Sequence, residues 1–419
     1  MKKLRISFII VFSVAIFAGI CALLVSFSQK SDPDTVTVAI VDDSKNGNSE
    51  IQLLEYVNDV KKAFLSSHPN ARLNISVVPL ADYSAWLSNS ALSGEMPDIF
   101  SVLPADFPTY SEVGQLSPLP EEFISQSSKG VTGHWMAGGK LYAMPYFYDP
   151  PCIIINKSLL PGTYFEVDES TFDWIDIIYA AQFLNRDTNA DGVTDIFGIT
   201  NISWKDLAYA NGCQIVDYAN KKTHLTSDEA EYATKFFLGI SKASIDSRID
   251  AFENGSSIMK ATTLCDAAGI VSAHNENSYI VLPFPKGPDG DFATEPTDIP
   301  LAVNAKSSSK QLSIEFLRAL CLDRDNQELL SQKTNGYPVA YAAKAYADAK
   351  ALRYMSSSAS NTMLNYGSVD IDFFQYYEFM DTIESSVFQL LKNDVYVEAE
   401  LARIESDSDA LLQNGLPER

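Results

Sequence analysis

Over the first hundred residues, segments with the apolar pattern of a buried strand alternate with segments that have the apolar spacing of a helix. Nearly continuous apolar runs rich in β-branched residues are typical of buried strands in a parallel sheet. Apolar side chains three or four positions apart are typical of a helix with one buried face. The predicted elements are strand Thr35–Val41, helix Ile51–Ser66, strand Leu73–Val77, helix Tyr83–Leu92 and strand Pro97–Val102. This order predicts an α/β domain with a parallel sheet, in which ligands lie beyond the carboxyl ends of the strands.

Helical spacing recurs in the rest of the chain, and we interpret its apolar stripes as core packing. The predicted helices are Thr171–Phe183, Ala230–Ala243, Ser313–Leu322 and a long C-terminal helix that begins at Phe373. The serine-rich stretch Ser356–Ser360 is predicted to be a surface loop. The whole chain therefore continues in mixed α/β style after the first parallel unit.

The N-terminus has the layout of an export signal. Three basic residues within the first five precede an uncharged, largely apolar run over residues 6–27. Such a layout is typical of a secretory signal peptide, although about 20 apolar residues also suffice to span a bilayer. We therefore expect an extracytoplasmic protein, either periplasmic or on the cell surface. Three fates of the segment stay open: cleavage after Ser28, lipidation at Cys21, and retention of residues 6–27 as a membrane anchor.

The charge balance excludes several classes of function. The chain has 31 Lys and Arg against 54 Asp and Glu, which gives a formal charge of −23. Nucleic-acid binders and basic lipid-binding patches obtain their affinity from Lys and Arg, so both are disfavoured. The four His residues form no HExxH motif and the five Cys residues form no CxxC pair, so His-based hydrolysis and a zinc site receive no support.

One segment has the pattern of a calcium-binding loop. Residues Asp187–Asp195 place oxygen side chains at the first, third, fifth and ninth positions and a glycine at the sixth. The predicted Ca²⁺ ligands are Asp187, Asn189, Asp191, Asp195 and the Val193 carbonyl. Ca²⁺ takes about six to eight oxygens and position twelve is Gly198 instead of glutamate, so another ligand must complete the shell. The alternative is an Asp/Asn/Gly turn that binds no metal.

Six short phrases occur in a fixed order along the chain. They are Ser93–Phe100, Gly139–Tyr146, Ile153–Leu160, Ala251–Gly255, Leu282–Pro288 and Asn335–Val339. Together, on an exported acidic chain, these phrases resemble the extracellular solute-binding proteins of sugar-type ABC importers (family 1), the group that includes maltose-binding protein. Each phrase alone is weak, but the set extends over most of the chain.

The resemblance implies two α/β lobes joined by a hinge that the chain crosses more than once. The implied division is an export segment over residues 1–28, a first lobe over 35–149 and 282–309, and a second lobe over 150–281 and 310–419. The implied crossings lie near Asp149–Cys152, Tyr279–Pro283 and Ser307–Gln311. A ligand is expected between the lobes, which close around it by a hinge motion.

The resemblance also implies a set of ligand-binding residues. A sugar site stacks aromatic faces on the ring and offers carboxylates or amides to its hydroxyls. The residues expected to do this are Asp43, Tyr146, Phe147, Tyr148, Trp204, Phe374 and Tyr376. For each of them, a place in the core or elsewhere on the surface is the alternative.

One departure from the family concerns the length of the ligand. Where the maltose-binding group has a tryptophan, this chain reads Thr263-Leu264-Cys265-Asp266, and the whole chain has only four Trp. This departure speaks against a long stacked platform for oligosaccharides.

We therefore expect a monomeric, non-enzymatic receptor that delivers a small polar ligand, a carbohydrate, to the transmembrane subunits of an ABC permease. The calcium ion would be structural and distant from this ligand. Two alternatives stay open: a ligand-sensing partner of a membrane signalling receptor on the same fold, and an exported carbohydrate-active enzyme. No catalytic residue and no nucleic-acid partner is predicted.

Overall fold

The computed structural model describes residues 34–42, 48–103, 106–127, 129–160, 167–168, 170–217, 220–244, 251–274, 278–288, 290, 293–294, 300–334, 336–351, 354–364, 367–368, 377–390 and 396–414. Within these residues, no helix has the length and apolar character needed to cross a membrane. The apolar run over residues 6–27 lies outside them, so its role as signal or anchor stays a prediction.

The strands of the described residues form two larger sheets and three small strand pairs. In chain order they are β1 (Thr35–Asp42), β2 (Arg72–Pro79), β3 (Ile99–Ser101), β4 (Met136–Ala137), β5 (Lys140–Leu141), β6 (Ala143–Met144), β7 (Pro151–Asn156), β8 (Phe197–Thr200), β9 (Val216–Asp217), β10 (Lys222–Thr223), β11 (Ser257–Thr263), β12 (Tyr279–Pro283), β13 (Ala293–Thr294), β14 (Leu301–Val303) and β15 (Gly367–Ser368).

The α-helices of the described residues follow the strands closely along the chain. They are α1 (Asn48–Ser67), α2 (Leu80–Ser93), α3 (Phe107–Glu112), α4 (Glu122–Ser125), α5 (Lys129–Thr132), α6 (Trp174–Phe183), α7 (Trp204–Ala210), α8 (Asp228–Ser244), α9 (Leu264–Ala273), α10 (Lys310–Cys321), α11 (Arg324–Lys333), α12 (Lys344–Ala351), α13 (Ser357–Leu364), α14 (Tyr377–Gln389) and α15 (Val397–Asn414). Short 3₁₀ turns occur at Gly133–Trp135, Lys157–Leu159 and Tyr341–Ala343.

The first sheet has the strand order β2-β1-β3-β14-β6. Strand β1 runs parallel to β2 and β3, whereas β14 lies antiparallel to β3 and β6. The strands and helices predicted for the first hundred residues are confirmed, with their ends shifted by a few positions. Helix α2 stops at Gly94, whose φ of 76° is left-handed and suits glycine. On α1, the predicted apolar face is buried at Val57, Val60 and Phe64.

Helices α10 and α11 belong to the first lobe, because both pack against α1. The Tyr56 hydroxyl on α1 donates to the Leu320 carbonyl at 2.6 Å, and Phe316 is fully buried in the same core cluster. The predicted last crossing near Ser307–Gln311 is therefore wrong, as is the assignment of all of residues 310–419 to the second lobe. The helical period predicts α10 itself, but it does not say which surface its apolar face covers.

The second sheet has the strand order β12-β7-β11-β8. Strand β7 is antiparallel to β11 and β12, and β11 is parallel to β8. Helices α6 and α8 pack against β8 at one end of this sheet, α9 packs against β7, β11 and β12, and α13 packs against β12. The predicted helices Thr171–Phe183 and Ala230–Ala243 are confirmed as α6 and α8. The predicted C-terminal helix is present from Tyr377 as α14, and its predicted start at Phe373 lies outside the described residues.

The predicted surface loop over Ser356–Ser360 is wrong, because most of it is the start of helix α13. Ala359 and Met363 are buried on this helix, and the Ser356 hydroxyl accepts the backbone N–H of Ala359 at 3.1 Å. Serine disfavours helix interiors but is favoured at their first turn, where its oxygen satisfies a free amide. The run of serines therefore marks a helix start.

The chain passes from the first sheet to the second directly after β6 and leaves the second sheet through β12. Residues 145–150, the first crossing segment, join β6 to β7, which agrees with the predicted position near Asp149–Cys152. Strand β12 leads out of the second sheet, and the Gly287 amide still donates to Ala210 of helix α7 at 2.6 Å. Residues 282–288, predicted to belong to the first lobe, therefore lie on the second. Bending of these segments as a hinge stays a prediction.

Candidate ligand-binding cleft

The carboxyl edges of the two sheets meet at the first crossing segment. Strand β6 is antiparallel to β14, which is antiparallel to β3, so β6 leaves the first sheet at the edge where β1 to β3 end. Strand β7 is antiparallel to β11 and β12, so its first residue lies at the edge where β8, β11 and β12 end. Ligands of open α/β sheets bind outside such edges. The space next to the first crossing segment is therefore the candidate cleft.

The predicted aromatic run lies in this segment, but its three rings differ in exposure. Tyr146 and Tyr148 are buried at 6% and 3% exposure, whereas Phe147 is half-buried. The Tyr148 hydroxyl donates to the Met363 carbonyl at 3.1 Å, which occupies its polar end. The Phe147 ring stands edge-on to Tyr146 with centroids 5.4 Å apart. Of the three rings, Phe147 is the one with surface to offer a ligand.

Gln327 of helix α11 holds the first crossing segment in place through side-chain hydrogen bonds. Its side-chain amide donates to the Tyr146 carbonyl at 2.9 Å, and its oxygen accepts the Val339 amide at 2.8 Å. Gln327 has no exposed surface, so these bonds form away from water. The Tyr148 amide in turn donates to the Tyr337 carbonyl at 2.8 Å. The first crossing segment and residues 337–339, which are far apart in sequence, are therefore held side by side.

Gly336 leaves room for Phe147. A Cβ atom at this position would lie 3.2 Å from Cβ of Phe147 and 3.1 Å from Oγ1 of Thr334. Contacts this short are tighter than most Cβ contacts in proteins, so with a side chain here Phe147 or Thr334 would have to shift by a few tenths of an ångström. The glycine of the Asn335–Val339 phrase thus has a packing reason.

Trp204 lies in the core of the second lobe instead of at the cleft. It has no exposed surface, and its indole Nε1 donates to Oγ1 of Thr234 at 2.8 Å. A sugar ring cannot stack on a face that already packs against helix α8. The structure therefore gives Trp204 a core role, because the residue begins helix α7 and turns inward. Trp135 and Trp174 are buried as well.

Three further predicted ligand residues lie outside the described residues. They are Asp43, Phe374 and Tyr376. Their proposed contacts with a ligand stay predictions. The preceding residue Asp42 ends β1 and is half-buried at the carboxyl edge of the first sheet.

The rim of the second lobe carries polar residues that the sequence analysis missed. Asn201 directly follows β8, is exposed, and has a left-handed φ of 63°. Its side chain donates to the Ala261 carbonyl at 2.9 Å, which ties the ends of β8 and β11 together. Thr263 ends β11 and caps helix α9 by accepting the Asp266 amide at 3.5 Å. The Thr-x-x-Asp spacing is the one sequence signal that marks this turn.

The positive charge of Lys260 on this rim is paired with two carboxylates. Lys260 Nζ lies 2.7 Å from Oε1 of Glu253 and 2.8 Å from Oδ2 of Asp266. The Thr262 hydroxyl also donates to Asp266 at 2.5 Å. Because the one lysine of this cluster already has two carboxylate partners, it offers no free positive charge to an anionic ligand.

A half-buried carboxylate, that of Asp149, joins the first crossing segment to the second lobe. Oδ1 of Asp149 accepts the Cys265 amide at 2.6 Å, in the first turn of α9. The Pro150 carbonyl accepts the Leu264 amide of the same turn at 2.9 Å. Burial raises the pKa of the Asp149 carboxyl to about 6, while the bonds from Cys265 and Thr263 lower it. The negative charge at this site is therefore held at a cost near neutral pH.

The predicted calcium loop folds as a series of tight turns. Asp187 accepts the amides of Ala190 at 2.7 Å and Gly192 at 2.8 Å, and Asp195 accepts the Thr188 amide at 2.7 Å. Within the described part of the chain, no three His, Cys, Asp or Glu side chains form a group suited to a metal ion. These bonds fit either a metal-free turn or a loop that awaits further ligands, so calcium binding stays a prediction.

Solved structures of other proteins share this fold. MalE, the sugar-binding protein from the phytopathogen Xanthomonas citri, is similar with a TM-score of 0.75 at 14% identity, over 91% of this chain and 98% of that protein. The cyclic α-maltosyl-1,6-maltose binding protein from Arthrobacter globiformis is similar with a TM-score of 0.69 at 18% identity, over 92% and 100%. An ABC substrate-binding protein from Listeria monocytogenes, in complex with cycloalternan, is similar with a TM-score of 0.66 at 18% identity, over 90% and 99%. The predicted two-lobed α/β fold of binding proteins is thereby confirmed.

The family follows from the sequence itself. The profile of the bacterial extracellular solute-binding proteins matches residues 59–354, which is more than half of the chain. The protein therefore belongs to this family, and its location is extracytoplasmic. A search of curated proteins finds no match. The resemblance carried by the six phrases is confirmed at the level of the family and its fold.

Proposed function

We propose that the protein binds a small carbohydrate in the cleft and delivers it to the transmembrane subunits of an ABC permease. The observation that carries this proposal is the position of Phe147, a partly exposed ring at the place where the carboxyl edges of both sheets meet. Aromatic faces stack on the apolar faces of sugar rings. Proteins of the same fold bind maltose-derived sugars and cycloalternan, which supports the same class of ligand here.

The polar groups of the rim agree with a neutral ligand. Asn201, Thr262 and Thr263 supply amide and hydroxyl groups at the ends of β8 and β11. Sugar hydroxyls both donate and accept hydrogen bonds, so side chains of this kind suit them. Because Lys260 is engaged by two carboxylates, a phosphate or carboxylate ligand would find no free cation in this cluster.

The ligand is expected to be short. Three of the four tryptophans are buried in the cores, and Trp86 on α2 is half-buried. A long oligosaccharide needs several exposed aromatic faces in a row, whereas the described part of the first crossing segment offers the one half-buried ring of Phe147. We propose a ligand of one or two sugar units.

We further propose that the protein is a receptor without catalytic activity. We also propose that residues 1–28 decide its attachment: the protein stays at the membrane if they are retained or lipidated, and it is released if they are cleaved. The family consists of binding proteins, which supports the first part. The apolar run over residues 6–27 supports an anchor or a signal. A ligand-sensing partner of a signalling receptor would share the fold, and neighbouring genes for two permease subunits would favour the importer.

A thermal-shift screen of the purified protein tests the ligand class. The screen compares maltose, maltotriose, tagatose, polyols and polyamines, because these differ in length and charge. A ligand at a hundred times its dissociation constant adds roughly 2.7 kcal/mol to the free energy of unfolding, which shifts the melting temperature visibly. Stabilisation by a mono- or disaccharide is the expected result. Stabilisation by polyamines alone would contradict the carbohydrate assignment and leave the fold untouched.

A further inference from the structure

Phe147 packs directly against the segment that carries Gly336 and Tyr337. The backbones of Tyr148 and Tyr337 exchange hydrogen bonds at 2.8 Å and 3.3 Å, as opposed residues of an antiparallel bridge. Gly336 lies against Phe147 itself, since a Cβ atom there would stand 3.2 Å from Cβ of Phe147. A shift of residues 336–337 therefore moves the Phe147 ring or opens the contact beside it.

The side chains of the two bridged tyrosines reach the same helix. The Tyr148 hydroxyl donates to the Met363 carbonyl at 3.1 Å, and the Tyr337 hydroxyl lies 2.8 Å from that of Ser360. Ser360 and Met363 are about one turn apart on helix α13. Residues directly opposite each other in an antiparallel pair place their side chains on one side, which explains the shared partner. The bridge is therefore attached to α13 at two points.

Asp348 of helix α12 completes the contacts of the Tyr337 hydroxyl. Its Oδ1 accepts a hydrogen bond from the Tyr337 hydroxyl and another, at 2.7 Å, from the Ser360 hydroxyl. Its Oδ2 pairs with Lys344, one turn earlier on the same helix. Tyr337 is 5% exposed and Ser360 is 3% exposed, so these bonds to a carboxylate form largely away from water. Bonds of this kind are stronger than those between neutral groups at the surface.

The Tyr337 hydroxyl joins parts of the chain that pack on different sheets. Helix α13 packs against β12 of the second sheet, and the Tyr354 carbonyl, just before α13, accepts the Val281 amide of β12 at 2.8 Å. Tyr337 itself follows helix α11, which packs against α1 of the first lobe. The hydroxyl therefore connects a segment that comes from the first lobe to helices held on the second sheet.

We propose that Tyr337 is a positioning residue for Phe147. Its hydroxyl, held by Asp348 and Ser360, fixes residues 336–337 to helices α12 and α13, so the Phe147 ring keeps one place relative to the second sheet. Loss of the hydroxyl removes this attachment and leaves the backbone bridge to Tyr148. A ring that is fixed before the ligand arrives binds it at a lower cost in entropy. The role in sugar binding rests on the proposed function.

Fluorine NMR of the full-length protein tests this proposal without a ligand. 4-Fluorophenylalanine replaces Phe147 and gives one resonance that reports the surroundings of this ring. We expect Tyr337→Phe and Asp348→Ala each to shift or broaden the resonance, because both remove the hydrogen bond between the hydroxyl and the carboxylate. The double variant should change the resonance no further than Asp348→Ala alone, since both substitutions act through one contact.

Tyr83→Phe is the matched control. Tyr83 on α2 has no exposed surface, and its hydroxyl donates to the Ser101 carbonyl at 2.8 Å, so the same group is removed from a buried tyrosine elsewhere. This substitution should lower stability and leave the resonance in place. Ser360→Ala removes a smaller group from the Tyr337 contact and replaces Tyr337→Phe if that variant does not fold. A resonance that is unchanged in the variants of this contact, or changed equally by Tyr83→Phe, would overturn the proposal.

Titration with the sugars of the screen separates this proposal from the proposed function. The affinity should fall about three- to tenfold in Tyr337→Phe and stay at the wild-type value in Tyr83→Phe. Sugar binding that depends on Phe147 but not on Tyr337 supports the sugar receptor and overturns the positioning role. A resonance that responds to Tyr337→Phe in a protein that binds no sugar of the screen supports the contact between Tyr337 and Phe147 and contradicts the carbohydrate assignment.

Discussion

At the scale of single residues, Asp149 links the burial of a side chain to the pH dependence of the protein's stability. Its pKa of about 6 in the folded protein lies above that of an exposed aspartate, so the folded state binds a proton that the unfolded state has lost. The resulting stability is fully present below about pH 3.9, is lost as the pH rises from there through about 6, and changes little above that.

The amide variant should therefore be more stable than the wild type at neutral pH. We expect Asp149→Asn to raise the free energy of unfolding by about 1–3 kcal/mol at pH 7.5, with the difference vanishing near pH 4. Urea unfolding at pH 4, 5, 6 and 7.5 measures this difference. Two results would contradict this: an Asn variant with a lower free energy of unfolding than the wild type at pH 7.5, or a difference between the two proteins that is the same at every pH. Either would show that the ionised Asp149 does not destabilise the folded protein.

The calcium loop is the second residue-scale question. If the loop binds Ca²⁺, the wild-type melting temperature should rise with millimolar Ca²⁺ and fall on chelation, because the ion binds only the folded protein. The double variant Asp187→Asn, Asp191→Asn should lose this response. Asp168→Asn is the matched control, since Asp168 also accepts a turn amide, that of Ser170 at 2.9 Å, outside the loop. A response that survives in the double variant places the ion elsewhere.

Single residues also show what sequence reasoning could and could not find. The aromatic run lies in the first crossing segment, and its role in ligand binding stays a prediction. Which of its rings are buried depends on Gln327 and Met363, which lie far away in sequence. Trp204 was expected at the cleft because tryptophan suits sugars, yet the same apolar surface also suits a core. Asn201 carried no local signal at all, since its position follows from where β8 ends.

At the scale of secondary structure, close contacts between strands and helices determine which glycines can be substituted without loss of stability. Gly198 of β8 lies against helix α6, where an added Cβ would stand 1.7 Å from the Ala180 carbonyl oxygen. Backbone atoms cannot move aside without separating the strand from the helix. We expect Gly198→Ala to destabilise the protein by about 3 kcal/mol or more, measured by urea unfolding.

Gly239 supplies the matched control in the same lobe. It lies inside helix α8, and its added Cβ would meet only the mobile end of Ile178 at 3.3 Å. Alanine favours helices over glycine by about 1 kcal/mol, so Gly239→Ala should be neutral or stabilising. Equal effects of the two substitutions would contradict the described packing of β8 on α6.

The sequence predicts the helices and strands themselves better than it predicts which other elements they pack against. The strands and helices of the first hundred residues follow from apolar periods, because each element buries one local face. The placement of α10 on α1 does not follow, since the Tyr56–Leu320 hydrogen bond joins residues 264 positions apart. The boundary errors at residues 282–288 and 310–333 have this origin: the local pattern specifies the element, and tertiary contacts specify the lobe to which it belongs.

At the scale of the whole molecule, the net charge of −23 bears on ligand binding. If two acidic lobes approach each other around a neutral sugar, their repulsion opposes binding. Salt shortens the range of that repulsion from about 30 Å at 0.01 M to about 8 Å at 0.15 M. We expect the affinity for a neutral sugar to rise roughly two- to threefold over this range of ionic strength, measured by titration calorimetry. An affinity that falls with salt would argue against approach of the lobes.

The central claim is that the protein binds a sugar reversibly against Phe147 and returns it unchanged. Equilibrium dialysis with each sugar of the screen, followed by mass spectrometry of the recovered sugar, tests this claim most directly. We predict saturable binding with intact sugar recovered, at least a tenfold loss of affinity in Phe147→Ala because stacked aromatic surface is lost, and unchanged affinity in Phe183→Ala, whose ring is 67% exposed on α6. Binding that is unaffected by Phe147→Ala, or recovery of shortened sugar, would contradict the account.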